Sequence, residues 1–92
     1  MYNADYYYEN GVSLYEQHKY RRAISELDVA ISINGCEPKY HYYKALALYK
    51  LGILNEALKE IESAINLNPD PTSNYFNVKG LILNWLGRYN EA

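Results

Sequence analysis

The sequence is short of the residues that usually carry chemistry. It has a single cysteine, Cys36, so no disulfide forms within the chain; this favours a reducing compartment, and the cytoplasm is the expected location. It has two histidines, His18 and His41, with no His-x₃-His or Cys-x-x-Cys spacing, so neither a metal nor another cofactor is expected. No apolar run exceeds five residues, far short of the roughly twenty that span a bilayer. The start, Met1-Tyr2-Asn3-Ala4-Asp5, lacks the basic and apolar regions of a signal peptide. Basic residues are also few: nine Lys and Arg against eleven Asp and Glu, for a net charge of −2. The densest cluster, Lys19-Tyr20-Arg21-Arg22, is flanked by Glu16 and Glu26 and reads as a solvated helix start. Nucleic acid requires a concentrated positive face, so neither nucleic acid nor membrane is an expected partner. Asn10-Gly11-Val12-Ser13 and Lys79-Gly80 lack the further glycines of a phosphate loop. Glu56, Lys59, Glu60 and Glu62 fall on the polar face of a helical pattern. No catalytic constellation remains, and the chain is not expected to be an enzyme.

What is abundant is tyrosine, twelve against one Phe and one Trp. Tyrosine suits half-buried surfaces, because the ring packs while the hydroxyl stays wet or bonded. With 49% apolar and 22% charged residues over 92 positions, the composition is that of one small folded domain.

The chain repeats. Ala23, Ile24, Leu27, Ala30, Ile31 and Ile33 are matched 34 residues later by Ala57, Leu58, Ile61, Ala64, Ile65 and Leu67. Within each set the spacing i, i+1, i+4, i+7, i+8 lines one helix face. Alanine at recurring positions lets a neighbouring helix approach closely. Between these segments, Gly11-Val12-x-Leu14-Tyr15 aligns with Ala45-Leu46-x-Leu48-Tyr49 at 34 and with Gly80-Leu81-x-Leu83-Asn84 at 35. The extra residue belongs to the turn-rich loop Asn68-Pro69-Asp70-Pro71-Thr72-Ser73. Leu51-Gly52-x-x-Asn55-Glu56-Ala57 recurs as Leu86-Gly87-x-x-Asn90-Glu91-Ala92, each glycine placed for a left-handed helix end; His18 holds that place in the first copy. The pattern predicts an all-α chain of five helices near 4–17, 20–33, 38–51, 54–67 and 72–86. Short turns make neighbours antiparallel, and stacked hairpins make an α-solenoid.

On these columns the chain resembles the tetratricopeptide-repeat family. Tyr7, Gly11, Leu14, Ala23, Leu27 and Ala30 carry the likeness in the first repeat; Ala45, Leu48, Ala57, Ile61, Ala64 and Pro69 in the second; Phe76, Gly80, Leu83 and Ala92 in the third. The implied organisation is a single domain, 1–92, of about two and a half repeats: about 4–37, 38–71 and a partial 73–92. Asn10, Lys44 and Lys79 replace a usual Leu, His41 an aromatic and Gly35 a closing Pro. These departures predict a more exposed column. A related 35-residue repeat family binds RNA, but it is basic, and this chain is not.

The resemblance implies a protein-interaction scaffold. It holds a peptide or protein segment in a groove lined by the first helix of each repeat, here Tyr8, Val12, Tyr15, Tyr42, Tyr43, Leu46, Tyr49, Asn77, Leu81 and Asn84. Lys39, Asn74 and Glu16 fall at its edges. Family members that hold acidic chaperone C-termini use a clamp of Lys, Asn and Arg. Those columns here read Tyr8, Val12, Tyr43, Asn74 and Asn77, so an acidic chaperone C-terminus is not an expected partner.

The sequence stops at the first turn of an expected sixth helix, which reads as a segment of a longer repeat protein. The alternative is a self-assembling unit that forms homo-oligomers through an uncapped fifth helix, with Leu83, Trp85 and Leu86 on the seam.

Overall fold

Asn3 opens the first helix as an N-cap: its side-chain oxygen accepts the amide proton of Tyr6 at 2.9 Å, satisfying one donor the helix leaves free. Five helices follow in the computed structural model, which describes residues 2–70 and 72–91, with side chains through residue 88. They are α1 (Ala4–Glu16), α2 (Tyr20–Ile33), α3 (Pro38–Lys50), α4 (Leu54–Leu67) and α5 (Asn74–Glu91). Pro38 stands at the start of α3, where its missing amide proton costs nothing. The parts of the repeat pattern resting on Pro71 and Ala92 lie outside the described residues.

Each helix packs against its neighbour in sequence, and α3 also touches both α1 and α5. The first helices of the hairpins therefore form one layer, with α2 and α4 behind them. Stacking in one direction gives a body of 47 × 28 × 18 Å. The all-α solenoid expected from the period is present.

The repeated small and large columns form the core. Ala23, Leu27 and Ala30 of α2, like Ala57, Ile61 and Ala64 of α4, are completely buried. Ile61 belongs to a cluster with Ala45, Leu48, Leu54, Val78 and Ile82, which ties α3, α4 and α5 together. Leu27, Ile61 and Ile82 are the largest fully buried side chains, each contributing about 1.5–3 kcal/mol of burial.

The turns inside the two hairpins are built alike. At the end of α1, the amide of His18 bonds the Tyr15 carbonyl at 2.9 Å and that of Lys19 bonds Leu14 at 2.9 Å. At the end of α3, Gly52 bonds Tyr49 at 3.0 Å and Ile53 bonds Leu48 at 2.9 Å. This paired closure needs a left-handed residue, and His18 (φ 63°) and Gly52 (φ 77°) supply it as the sequence predicted.

Gly87 departs from that pattern. The expected turn there is absent, and α5 runs on as helix to Glu91. In both hairpins the reversed chain is held by a second helix packed on the first. Among the described residues nothing packs on the outer side of α5, so helix propagation, one backbone bond per added residue, prevails.

The polar replacements also differ from expectation. Lys44 and Lys79 are half-buried and bridge consecutive hairpins: Lys44 meets Asp28 at 2.7 Å and Lys79 meets Glu62 at 3.5 Å. The two pairs occupy equivalent columns, so the bridge repeats with the fold. Burial pulls the Lys44 pKa down, but the bond to Asp28 and the charges of Glu60 and Glu56 raise it on balance. His41, in place of an aromatic, sets Nδ1 3.0 Å from Glu60 Oε1 and Nε2 2.9 Å from the Gly35 carbonyl, pinning α3 to α4 and to the preceding loop.

Candidate functional site

Tyrosines occupy the face shared by α1, α3 and α5 because they recur at spacings of seven within a helix and 34 or 35 between hairpins. Tyr43 is the hub. Its ring centroid lies 5.7 Å from Tyr8, 5.8 Å from Tyr15 and 5.3 Å from Tyr42, all edge-on. Tyr42 continues the strip to Tyr75 of α5 at 5.0 Å. At one side, Tyr8 reaches Tyr40 at 5.2 Å. Edge-on and tilted pairs of this kind contribute about 0.5–1.5 kcal/mol each beyond burial, so the strip is stiff before any ligand arrives.

The expected groove residues are thus largely together. Tyr8, Val12, Tyr15, Tyr42, Tyr43, Leu46 and Tyr49 are all half-buried on α1 and α3. Asn77, Leu81 and Asn84 lie on α5 and are exposed, Leu81 at 49%. Tyr40 and Tyr75 were not among the expected residues. The signal was in the period: Tyr8 and Tyr42 are 34 apart, Tyr40 and Tyr75 are 35 apart, and the pairs Tyr8–Tyr40 and Tyr42–Tyr75 are the same inter-hairpin contact made twice.

The charged groups stand at one edge. Tyr40, almost completely buried, donates its hydroxyl to Asp5 at 2.6 Å. Asp5 also meets Lys39 at 3.7 Å, and the Lys39 ammonium sits 4.9 Å from the Tyr8 ring centroid. Among the described residues, the hydroxyls of Tyr8, Tyr15, Tyr42, Tyr43 and Tyr75 form no protein hydrogen bond.

Burial, with the neighbouring Tyr43 and Asp5 next in weight, pushes the Tyr8 phenol up to about 12. Burial and then the bond to Asp5 raise Tyr40 further; burial is also the leading cause of the upward shifts at Tyr15, Tyr42 and Tyr75. These rings hold their protons in the fold at a pH where the unfolded chain loses them. Stability is therefore fully present below pH 10.0, the ordinary phenol value, and is lost as pH rises toward about 12. Melting followed by circular dichroism should give a flat midpoint through mild alkali and a steep fall above pH 10.0. A midpoint unchanged across that window would mean that the rings ionise as freely folded as unfolded.

The seam residues divide. Leu83 is 46% exposed on the outer side of α5, beside Phe76 and Gly80. Leu86 instead packs against the core cluster, and Trp85 donates its indole N–H to the Tyr49 hydroxyl at 3.1 Å, with Arg88 4.8 Å from its ring. Leu86 shares the inward face with Val78 and Ile82, at i, i+4 and i+8, whereas Trp85 stays 37% exposed. Trp85 and Tyr49 also wall a cavity of about 420 Å³ with Lys50, Leu51, Gly52 and Leu54.

The family model of the tetratricopeptide repeat matches residues 38–71, which are α3, α4 and the start of the following loop. Over this segment the chain is similar to the tetratricopeptide repeat. A solved structure described as the second tetratricopeptide-repeat domain of Spaghetti (RPAP3), bound to the HSP90 peptide SRMEEVD, is 28% identical. It superposes with a TM-score of 0.88, over 97% of this chain and 82% of that one. The crystal structure of YrrB, described as a tetratricopeptide-repeat protein with an unusual peptide-binding site, is 22% identical with a TM-score of 0.85; the match covers 95% of this chain and 44% of YrrB, and speaks for the fold. No curated protein sequence matches this chain significantly. Among the described residues there is no cluster of His, Cys, Asp and Glu able to hold a metal ion, and no helix long and apolar enough to cross a membrane.

Proposed function

We propose that this chain is a peptide-binding scaffold whose working surface is the tyrosine strip across α1, α3 and α5. The observation that carries the reading is a strip of contacting rings in which the hydroxyls of Tyr8, Tyr15, Tyr42, Tyr43 and Tyr75 are left unbonded by the protein. Tyrosine gives large, rigid, amphipathic contacts at low entropy cost, the kind that dominates binding hot spots. The 28% identical domain solved with an HSP90 peptide supports a peptide-binding reading. An acidic tail suits the tyrosine strip poorly. Lys39 at its edge is already engaged by Asp5 and the Tyr8 ring, and a carboxylate entering the strip would lose water without a charged partner. No catalytic step is assigned to the chain.

Selection from a displayed peptide library tests this reading. Selected peptides should bind about tenfold or more weakly to Tyr43→Ala, which removes the hub, and retain most affinity for Tyr43→Phe and for Arg21→Ala on α2. Binding indifferent to Tyr43→Ala would move the site elsewhere.

A second reading has one observation in its favour. Gly80 and Leu83 occupy the columns where Ala45 and Leu48 are almost wholly buried in the second hairpin, yet both are exposed on α5. A second copy covering that face would make the chain a self-assembling unit. Light scattering across a wide concentration range should then show mass growth that Leu83→Glu suppresses. Mass growth identical in wild type and variant would remove this reading.

A further inference from the structure

We propose that the groove takes a proline-rich segment in the extended polyproline conformation. This deepens the peptide-binding reading and rests on it. The argument begins with what the strip offers a ligand backbone. Helical backbone carbonyls are consumed by the helices themselves, so α1 and α3 present no main-chain acceptors along this face. What remains is flat ring surface and the hydroxyls of Tyr8, Tyr15, Tyr42, Tyr43 and Tyr75, unbonded by the protein. A surface rich in O–H donors suits a backbone that has only acceptors to satisfy. Proline is that residue: it carries a carbonyl and no amide proton.

Charge and shape agree. Tyr8, Val12, Tyr15, Tyr42, Tyr43, Leu46 and Tyr49 include no ionised group, and the acids at the edge, Asp5 and Glu37, help to raise the Tyr8 phenol, a field unfavourable to an anionic ligand. Tyr8 and Tyr15 are seven residues apart on α1, as are Tyr42 and Tyr49 on α3, or about 10.5 Å along each helix. A polyproline helix repeats every three residues, about 9.3 Å, a step comparable to the Tyr8–Tyr15 spacing along α1. Such a peptide is pre-extended and loses little entropy on docking, which matches a strip that is itself already stiff.

The test is calorimetric titration of the full chain with four peptides. These are an oligoproline, the same peptide with every second proline replaced by alanine, SRMEEVD, and an arginine-rich peptide. The oligoproline should bind at least about tenfold more tightly than its alanine counterpart. Its affinity should change little with added salt, because no ion pair is involved. It should fall about tenfold or more with Tyr43→Ala and measurably with the triple change Tyr8→Phe, Tyr15→Phe and Tyr43→Phe, which keeps the rings and removes donors. Circular dichroism on each variant separates lost contacts from lost folding. If SRMEEVD or the arginine-rich peptide binds through Tyr43 while oligoproline does not, the proline proposal fails and the groove reading stands. If oligoproline shows no saturable binding up to about 1 mM and no other peptide responds to Tyr43→Ala, both fail.

Discussion

Replacing Ile61 with alanine is expected to destabilise the chain by about 2–5 kcal/mol and to lower its melting temperature by roughly 10–30 °C. Ile61 is completely buried and belongs to the cluster that joins α3, α4 and α5. Truncation removes the transfer free energy of the lost carbons and leaves a cavity. Part of the cavity resists collapse because Ala45, Ala57 and Ala64 in the same cluster carry only a methyl with which to fill it. Domains of this size have about 5–15 kcal/mol of total stability, so the loss is a large fraction of the whole. Urea unfolding measures it directly, as a lower midpoint at unchanged slope. A loss below about 1 kcal/mol would mean that the stack closes around the gap, and that the alanine columns are looser than their burial suggests. Because the same cluster holds Val78 and Ile82 of α5, the variant should also loosen the fifth helix before the first hairpin.

That cluster shows why so much of the fold was legible. The period of 34, the alanine columns and the turn residues are local patterns with one physical solution, close-packed antiparallel hairpins. Even the unusual left-handed His18 followed from its alignment with Gly52. The strip at Tyr8, Tyr15, Tyr42 and Tyr43 was legible for the same reason, since columns on one helix face stay on that face. What escaped depended on neighbours rather than on pattern. Gly87 shares the Leu-Gly-x-x-Asn-Glu-Ala pattern of Gly52, but among the described residues no helix returns over α5 and the turn does not form. Leu86 packs with Val78 and Ile82 on the core cluster, and Trp85, still 37% exposed, donates to a hydroxyl 36 residues away. Lys44 and Lys79 read as signs of exposure because an ion pair between hairpins leaves no trace in the periodicity of either helix alone.

The glycines of one column should respond to alanine with opposite signs. Gly11 and Gly80 occupy equivalent places in α1 and α5, and both lie within helices, where alanine is intrinsically better by about 0.5–1 kcal/mol. At Gly80 a new methyl meets no atom within 4 Å, so Gly80→Ala should stabilise by about that amount. At Gly11 it would lie 2.7 Å from Leu27 Cγ, 2.9 Å from Leu27 Cδ2 and 3.3 Å from the Ala23 carbonyl oxygen. Leu27 is fully buried and cannot swing into solvent, so α1 and α2 must separate or Leu27 must leave its rotamer. Overpacking of this kind costs about 1–3 kcal/mol, more than the helical gain returns. The second hairpin indicates the remedy, because Ala45 stands in the same column and is accommodated within the cluster that contains Ile61. The γ-branch of leucine carries the atoms a Gly11 methyl would strike, whereas isoleucine branches at Cβ and distributes the same volume differently. Gly11→Ala combined with Leu27→Ile should therefore recover part of the loss, giving a favourable coupling of about 0.5–3 kcal/mol in a double-mutant cycle read by urea unfolding. Strict additivity of the two changes would mean that Gly11 is needed for its backbone rather than for the space it leaves to Leu27.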